Sequence, residues 1–487
     1  MDEYLRRRAR KDPDRTALVD GRNGTTYRYG DLDGWARRIA GELTNRGHVT
    51  GDRVALLMKR QPAAIAAVWG VFRAGGVVVP LDPDEPDRNL HSRCERAAVE
   101  YALHEPGTDR VAGSVPETGA PLAVPAAPSS GGEPPSFESR DRPLDATRAI
   151  LFTSGTTGRP TGVRLTGRNL GASAASTIDR LGVESRDRWL LDLPIAHAGG
   201  LSIPIRTAMR GATTVLSAEF DTQETARTMR ERDVTGVSLV PTMLDRLLEG
   251  PGLPDSLRFV LLGGAAAPPS LVESALAADV PLFASYGTTE TASGVATATP
   301  AELRADPETV GRPVRAAEVS ILGPENAPVD TGETGEIAVS GPIVSPGTLG
   351  TGGDRPREEL HTGDRGALDS AGRLTVLGRI DDLIVTGGEN VSPRTVEAAI
   401  RETLPVEDCA VLGRADEEWG QRVGAALVPE TDGIGFSREG VRAALRGQLA
   451  DHELPREVIT VESLPRTASG TVDREALRAA FERRDNL

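Results

Sequence analysis

The run Leu151-Phe152-Thr153-Ser154-Gly155-Thr156-Thr157-Gly158-Arg159-Pro160-Thr161-Gly162-Val163 gathers small hydroxyls and glycines behind an apolar segment. Glycines let backbone amides approach an anion, and Ser and Thr hydroxyls add donors, so such a loop can cradle phosphates. It is not the P-loop NTPase pattern, which ends in Gly-Lys-Ser/Thr. On residue chemistry alone an ordinary flexible turn accounts for the run equally well.

The elements that would position this loop alternate helix and strand. Leu32, Trp35, Ala36, Ile39, Ala40 and Leu43 recur at helical spacing, with Gly47 placed to close the helix. Val54 to Met58 suits a buried strand, a helical segment follows, and Val77-Val78-Val79 returns to strand before Pro80. The rhythm recurs at Leu257 to Leu262, Ser270 to Ala278 and Leu282 to Tyr286. A β-α-β succession favours parallel sheets covered by helices. From about Glu105 to Asp145 the composition turns to Pro, Gly, Ser and Ala, which reads as a surface excursion of low order. After Gly378 short strands (Cys409 to Leu412, Val423 to Val428) alternate with helices near Thr395 to Glu402 and Arg438 to Leu449. The expected fold is α/β: a large N-terminal domain of helix-covered sheets, 1–378, and a smaller mobile α+β C-terminal domain, 379–487.

A chain of 487 residues exceeds one ordinary core, and 38% hydrophobic with 26% charged residues fits a globular protein. No apolar run reaches the ~18 residues of a membrane span. The N-terminus opens into an arginine cluster with no following apolar region, so a cytoplasmic protein is expected. Cys94 and Cys409 have neither metal spacing nor a disulfide framework. The net charge of −15 argues against nucleic acid as partner. Lys11 and Lys59 are the only lysines; codon bias and a salt-loving host are equally good accounts of that composition.

The loop resembles the phosphate-binding loop of the adenylate-forming superfamily (acyl-CoA synthetases, luciferases and peptide-synthetase adenylation domains), written Thr-Ser-Gly-Thr-Thr-Gly-x-Pro-Lys-Gly. Further segments follow in that superfamily's order: Gly263-Gly264-Ala265-Ala266-Ala267-Pro268, Ser285-Tyr286-Gly287-Thr288-Thr289-Glu290, Thr362-Gly363-Asp364, Gly378-Arg379-Ile380-Asp381-Asp382 and Pro465-Arg466-Thr467-Ala468-Ser469-Gly470. The resemblance implies a nucleotide site of Thr153, Ser154, Gly155, Thr156, Thr157, Gly158, Gly264, Ala265, Tyr286, Gly287, Asp364 and Arg379. Tyr286 would pack on adenine, Thr289 reach the α-phosphate, Glu290 hold Mg²⁺, and Asp364 accept from the ribose hydroxyls. A single carboxylate beside phosphates is how Mg²⁺ is usually bound. Read singly, Tyr286 is equally a core aromatic, Asp364 a turn residue and Gly387-Gly388 a tight turn. The implied substrates are ATP, CoA and a small carboxylic acid. The carboxylate attacks the α-phosphate, pyrophosphate leaves, and the CoA thiol then displaces AMP. Asp381 would be the hinge for a rotating C-terminal domain, with Gly387, Gly388 and Glu389 lining the thiol approach.

Two departures stand out. Lysine is expected after Pro160 and after Gly470, yet Thr161 and Thr471 stand there. Losing one such contact typically costs ~3 kcal/mol of transition-state stabilisation. Three readings stand open: Arg159, Arg164 or Arg466 compensates, adenylation runs slowly, or the chain binds nucleotide without turnover. Thr471 is retained among the expected catalytic positions with Thr289, Glu290 and Arg379.

Within the superfamily, Leu193-Pro194-Ile195-Ala196-His197-Ala198-Gly199-Gly200-Leu201-Ser202, Leu261-Leu262-Gly263-Gly264, Gly387-Gly388-Glu389-Asn390-Val391 and Glu418-Trp419-Gly420-Gln421 resemble the o-succinylbenzoate–CoA ligase family of menaquinone synthesis. That substrate has a second carboxylate needing a donor. Arg206 is the candidate, with Thr291 and Ser293 as hydroxyl donors and His197 as a gate; a core histidine and a helix-surface arginine are the plain alternatives. Gly294 replaces a glutamine frequent in that family. Another aromatic or short-chain acid remains the alternative substrate.

Overall fold

The computed structural model describes residues 1–105, 120–127, 137, 139–140, 142–153, 160–350, 357–416, 419–431, 433, 435–466 and 472–485. The chain forms two compact units, one of Met1–Val319 with Val339–Leu360 and one of Ser320–Ala338 with His361–Leu487. The break expected after residue 378 falls inside the second unit, because Asp364 and Arg379 face each other across an antiparallel strand pair. Compactness follows that pairing, whereas a hinge is defined by motion.

The first unit carries two large sheets. Among the described residues one has nine strands, with Leu282–Tyr286, Phe259–Leu262, Gly236–Leu239, Arg188–Leu191, Thr213–Leu216 and Thr16–Asp20 neighbouring in parallel. The other has seven, with Thr147–Thr153, Val77–Leu81, Arg53–Leu57 and Tyr101–His104 in parallel. Parallel strands need crossovers, and the helices supplying them cover the sheet faces. The periodic segment at Leu32 to Leu43 forms the helix Tyr29–Asn45, which lies against Pro62–Arg73. Nearly every residue of Pro62–Arg73 is buried, as its all-round apolar sequence requires of an inner helix. Arg73 is the exception in chemistry: at 1% exposure it donates to both carboxylate oxygens of Asp2 and to Asp33.

One expectation is corrected. The low-order excursion contains the strand Ala120–Ala123, paired in parallel with Tyr101–His104. Its Pro121 hid it, yet proline is tolerated at a sheet edge, and this is the outermost strand of its sheet.

The second unit holds a four-stranded sheet ending in the antiparallel pair Glu359–Leu368 and Leu374–Arg379. It also holds a sheet of Glu389–Val391, Ile384–Thr386, Gly420–Pro429, Val406–Asp416 and Glu457–Thr460. The helices expected near Thr395 and Arg438 run Pro393–Thr403 and Arg438–Leu445, and the first packs on Val406–Asp416. The α/β architecture with a smaller C-terminal α+β part is as expected. No described helix is long and apolar enough to cross a membrane.

Candidate active site

In the first unit the candidate residues lie at the ends of parallel strands, where α/β sheets bind ligands. Thr153 ends its strand opposite Thr161, and its hydroxyl donates to the Thr161 carbonyl at 3.4 Å. Ser154, Gly155, Thr156, Thr157 and Gly158, between those two strands, lie outside the described residues, as does Thr471. Gly264 follows Phe259–Leu262 at φ +83, a left-handed backbone that favours glycine, and Ala265 comes next.

Tyr286 closes the strand Leu282–Tyr286, and a tight turn reverses the chain over Thr289–Thr291. Gly287 is required here, since a Cβ would stand 2.5 Å from the Ser293 carbonyl oxygen. Ala292 and Ser293 take φ of 50 and 82, a conformation costing about 1 kcal/mol or more for non-glycine residues. The Ser293 amide donates to the Thr288 carbonyl at 3.1 Å, and the Ser345 amide donates to the Glu290 carbonyl at 2.7 Å. Thr291, expected as a hydroxyl donor to the acid, faces its own turn in this structure. Its hydroxyl accepts from the Thr288 amide (2.9 Å) and donates to the Thr288 carbonyl (3.0 Å), and the residue is fully buried. It holds the turn and has no hydrogen left for an acid.

Glu290 itself is half-buried, and its carboxylate makes no hydrogen bond or ion pair among the described residues. No cluster of three or more His, Cys, Asp or Glu able to hold a metal occurs among those residues. One open carboxylate fits a hard cation that takes most of its ligands from phosphates and water.

Arg206 is not a surface residue. On the helix Ala198–Arg210 it is 2% exposed, and its Nη2 donates to Ser293 Oγ at 2.9 Å. The guanidinium lies 5.5 Å from the centroid of the Trp189 ring, and its buried Nε has no hydrogen-bond partner among the described residues. No described acidic side chain pairs with it, and burial pushes its pKa down to about 9. An uncompensated buried charge costs several kcal/mol, so a chain that keeps one needs an anion to meet it. His197 caps the same helix from a half-buried position, and burial lowers its pKa, leaving the imidazole neutral at neutral pH.

In the second unit the Thr362 hydroxyl donates to the Ile337 carbonyl (2.7 Å) and accepts from the Asp364 amide (3.1 Å). Arg379 Nη1 donates to the Thr362 carbonyl at 3.0 Å and to Asp364 Oδ1 at 3.4 Å, and Arg379 Nη2 lies 3.8 Å from Asp381. Gly387 and Gly388, at φ +60 and +87, turn the chain into Glu389–Val391. A Cβ on Gly387 would stand 2.7 Å from the Trp419 ring, and the Arg456 guanidinium lies over that ring, 4.3 Å from its centroid. Trp419 belongs to the segment Glu418-Trp419-Gly420-Gln421 that resembles the ligase family, whereas no motif singled out Arg456. Arg466, one of the three cations weighed as replacing the lost lysine, pairs with Asp408 at 2.5 Å.

Residues 5–349 match the AMP-binding enzyme family, and residues 395–471 match the AMP-binding enzyme C-terminal domain. The chain belongs to the AMP-binding enzymes. Among curated members of this family, 2-succinylbenzoate–CoA ligase of Geobacillus kaustophilus is 35% identical over 492 residues, covering 98% of this chain and 97% of that protein. Feruloyl-CoA synthase of an Amycolatopsis species is 33% identical over 490 residues, covering 98% of each. The fold agrees with o-succinylbenzoate CoA synthetase of Bacillus subtilis in complex with its acyl-adenylate intermediate, at TM-score 0.88, 30% identity and 98% coverage of both chains. ATP-bound MatB of Rhodopseudomonas palustris gives TM-score 0.89 at 28% identity, with 99% of both chains covered. The Geobacillus and Amycolatopsis relatives are named for different acids, so the acyl pocket must decide.

Proposed function

We propose that this chain is an ATP-dependent, AMP-forming acid–CoA ligase whose acid carries a second carboxylate, 2-succinylbenzoate fitting best. One observation carries the choice of acid: the buried Arg206 guanidinium, hydrogen-bonded to Ser293 and without an acidic partner among the described residues. A carboxylate gains a charge-assisted hydrogen bond there, while a neutral acid leaves the cation stranded.

The reacting carboxylate attacks the α-phosphorus of ATP, and the bond to the β-phosphate oxygen breaks, releasing pyrophosphate. The CoA sulfur, having lost its proton, then attacks the adenylate carbonyl and expels AMP. In this reading Thr153 and the loop that follows hold the phosphates, Gly264, Ala265, Tyr286 and Gly287 frame the adenine, and Thr289 contacts the α-phosphate. Asp364, oriented by Arg379, accepts from the ribose hydroxyls. Glu290 would hold Mg²⁺, whose charge offsets that of the triphosphate. His197, neutral and half-buried, closes the acid pocket. Movement about Asp381 separates a body of residues 1–378 from one of 379–487 and brings Gly387, Gly388 and Glu389 to the thiol. Thr161 and Thr471 in place of lysines make adenylation the slow half-reaction.

The test incubates the protein with Mg·ATP, CoA and either 2-succinylbenzoate or ferulate, reading acyl-CoA by mass spectrometry. Succinylbenzoyl-CoA with release of pyrophosphate is expected. Feruloyl-CoA alone would move the assignment to the monoacid that the Amycolatopsis relative is named for. Neither product, from protein that still binds ATP, would leave a nucleotide-binding protein without turnover.

A further inference from the structure

The turn that carries Glu290 and Ser293 holds two non-glycine residues in left-handed backbone, so something outside it must keep it in shape. The helix Gly167–Leu181 does so from two positions. Asn169, at 3% exposure, uses its whole amide. Its Oδ1 accepts from the Thr166 amide and hydroxyl, both at 2.8 Å, which caps the helix. Its Nδ2 donates to the carbonyls of Pro342 (2.9 Å) and Val344 (2.8 Å). The next residue, Ser345, donates its amide to the Glu290 carbonyl at 2.7 Å and its hydroxyl to the Arg164 carbonyl at 2.7 Å. One helical turn later the Ser173 hydroxyl, 2% exposed, donates to the Ala292 carbonyl at 2.7 Å. Ala292 adjoins Ser293, whose hydroxyl accepts from Arg206.

We infer that Asn169 and Ser173 are positioning residues that separately set the two ends of this turn: Asn169 the metal-binding carboxylate of Glu290, Ser173 the acid-binding pair Ser293 and Arg206. The two routes share the helix but no hydrogen bond. Asn169 reaches Glu290 through the 342–345 segment, and Ser173 reaches Ser293 through the Ala292 carbonyl. Loss of Ser173 leaves the Ala292 carbonyl without its donor, which the turn relieves by relaxing toward ordinary φ; loss of Asn169 leaves the Pro342 and Val344 carbonyls without theirs, which shifts the 342–345 segment and the Ser345 amide that holds Glu290. Gly294 lies alongside, where a Cβ would stand 3.7 Å from Ser173 Oγ and from Thr177 Oγ1, an ordinary contact distance, so the turn packs closely against the helix that braces it.

This inference rests on the ligase reading for what the two ends bind, and its test uses direct binding as well as turnover. Asn169→Asp keeps an oxygen to accept from the Thr166 amide and hydroxyl, and turns the two attractions to the Pro342 and Val344 carbonyls into repulsion by a carboxylate oxygen. Ser173→Ala removes the brace, and Ser173→Thr restores a hydroxyl. Mn²⁺ binding with α,β-methylene-ATP present is read by electron paramagnetic resonance, and 2-succinylbenzoate binding by calorimetry. Asn169→Asp should weaken Mn²⁺ about tenfold and leave the acid within a factor of about two; Ser173→Ala should do the reverse, with rescue by Ser173→Thr. Thermal melts of each variant separate these shifts from loss of fold. If each substitution moved both affinities together, or neither, the inference would be overturned. Wild-type protein that binds both probes but makes no acyl-CoA would refute the ligase reading while leaving this one to the binding shifts.

Discussion

At the scale of single residues, chemistry is decided by what each side chain lacks as much as by what it touches. Arg206 is buried against Trp189 and Ser293 with no acid beside it among the described residues, so its charge awaits a ligand. Arg206→Gln should cut kcat/KM for 2-succinylbenzoate by about 100-fold, a loss of ~3 kcal/mol, while KM for ATP stays unchanged. Steady-state kinetics over both substrates check it; equal loss for ferulate would point to a packing role instead. His48 shows the opposite deficit. It is 2% exposed, both ring nitrogens lack hydrogen-bond partners among the described residues, and burial lowers its pKa below the ordinary 6.5. Below pH 6.5 the unfolded chain binds this proton more readily than the folded one, so stability falls as pH drops from there toward the folded-state pKa. Urea midpoints at pH 7.5 and 5.5 should differ less in His48→Leu than in the wild type.

Elements bring such residues to the site by their ends. The turns at Gly264, Gly287 and Gly387 follow strands, and each needs glycine for a different reason, left-handed backbone or a neighbour too close for a Cβ. Gly387→Ala meets both obstacles, φ +60 and the Trp419 ring at 2.7 Å. On the proposal that this turn lines the thiol approach, the variant should lower thioester formation from preformed acyl-adenylate about tenfold or more while ATP–pyrophosphate exchange, which reports adenylation alone, stays near the wild-type rate. Equal loss of both rates would show that the turn serves the fold alone. The same scale explains which elements were legible. Helices with a sustained apolar stripe, such as Tyr29–Asn45, and strands with continuous apolar runs, such as Arg53–Leu57, announce themselves by period. The strand Ala120–Ala123 is too short, and too rich in alanine and proline, to carry a period at all.

For the whole molecule, the two half-reactions ask different groups to meet one carboxyl group, the α-phosphate at its oxygen and then the thiol at its carbon, which is the reason to propose motion about Asp381. Asp381→Pro would stiffen the backbone there. Adenylation should persist and thioester formation should fall about 100-fold, measured by single-turnover quench with preformed acyl-adenylate. Loss of adenylation in the same measure would assign Asp381 to the nucleotide site instead of a hinge. Sequence by itself determined the family, the order of its motifs and the positions of Tyr286, Glu290, Asp364 and Gly387, because such loops demand particular residue types within a few positions of one another. The absence of lysine at Thr161 and Thr471 is legible in the same way. Tertiary structure alone decided that Arg206 is buried with no acid beside it among the described residues, that Thr291 spends its hydroxyl on its own turn, and that Asn169 reaches carbonyls more than 170 residues away. Burial, satisfaction of a polar atom and long-range pairing depend on which surfaces the packed sheets and helices bring face to face, and no local spacing in the chain encodes that.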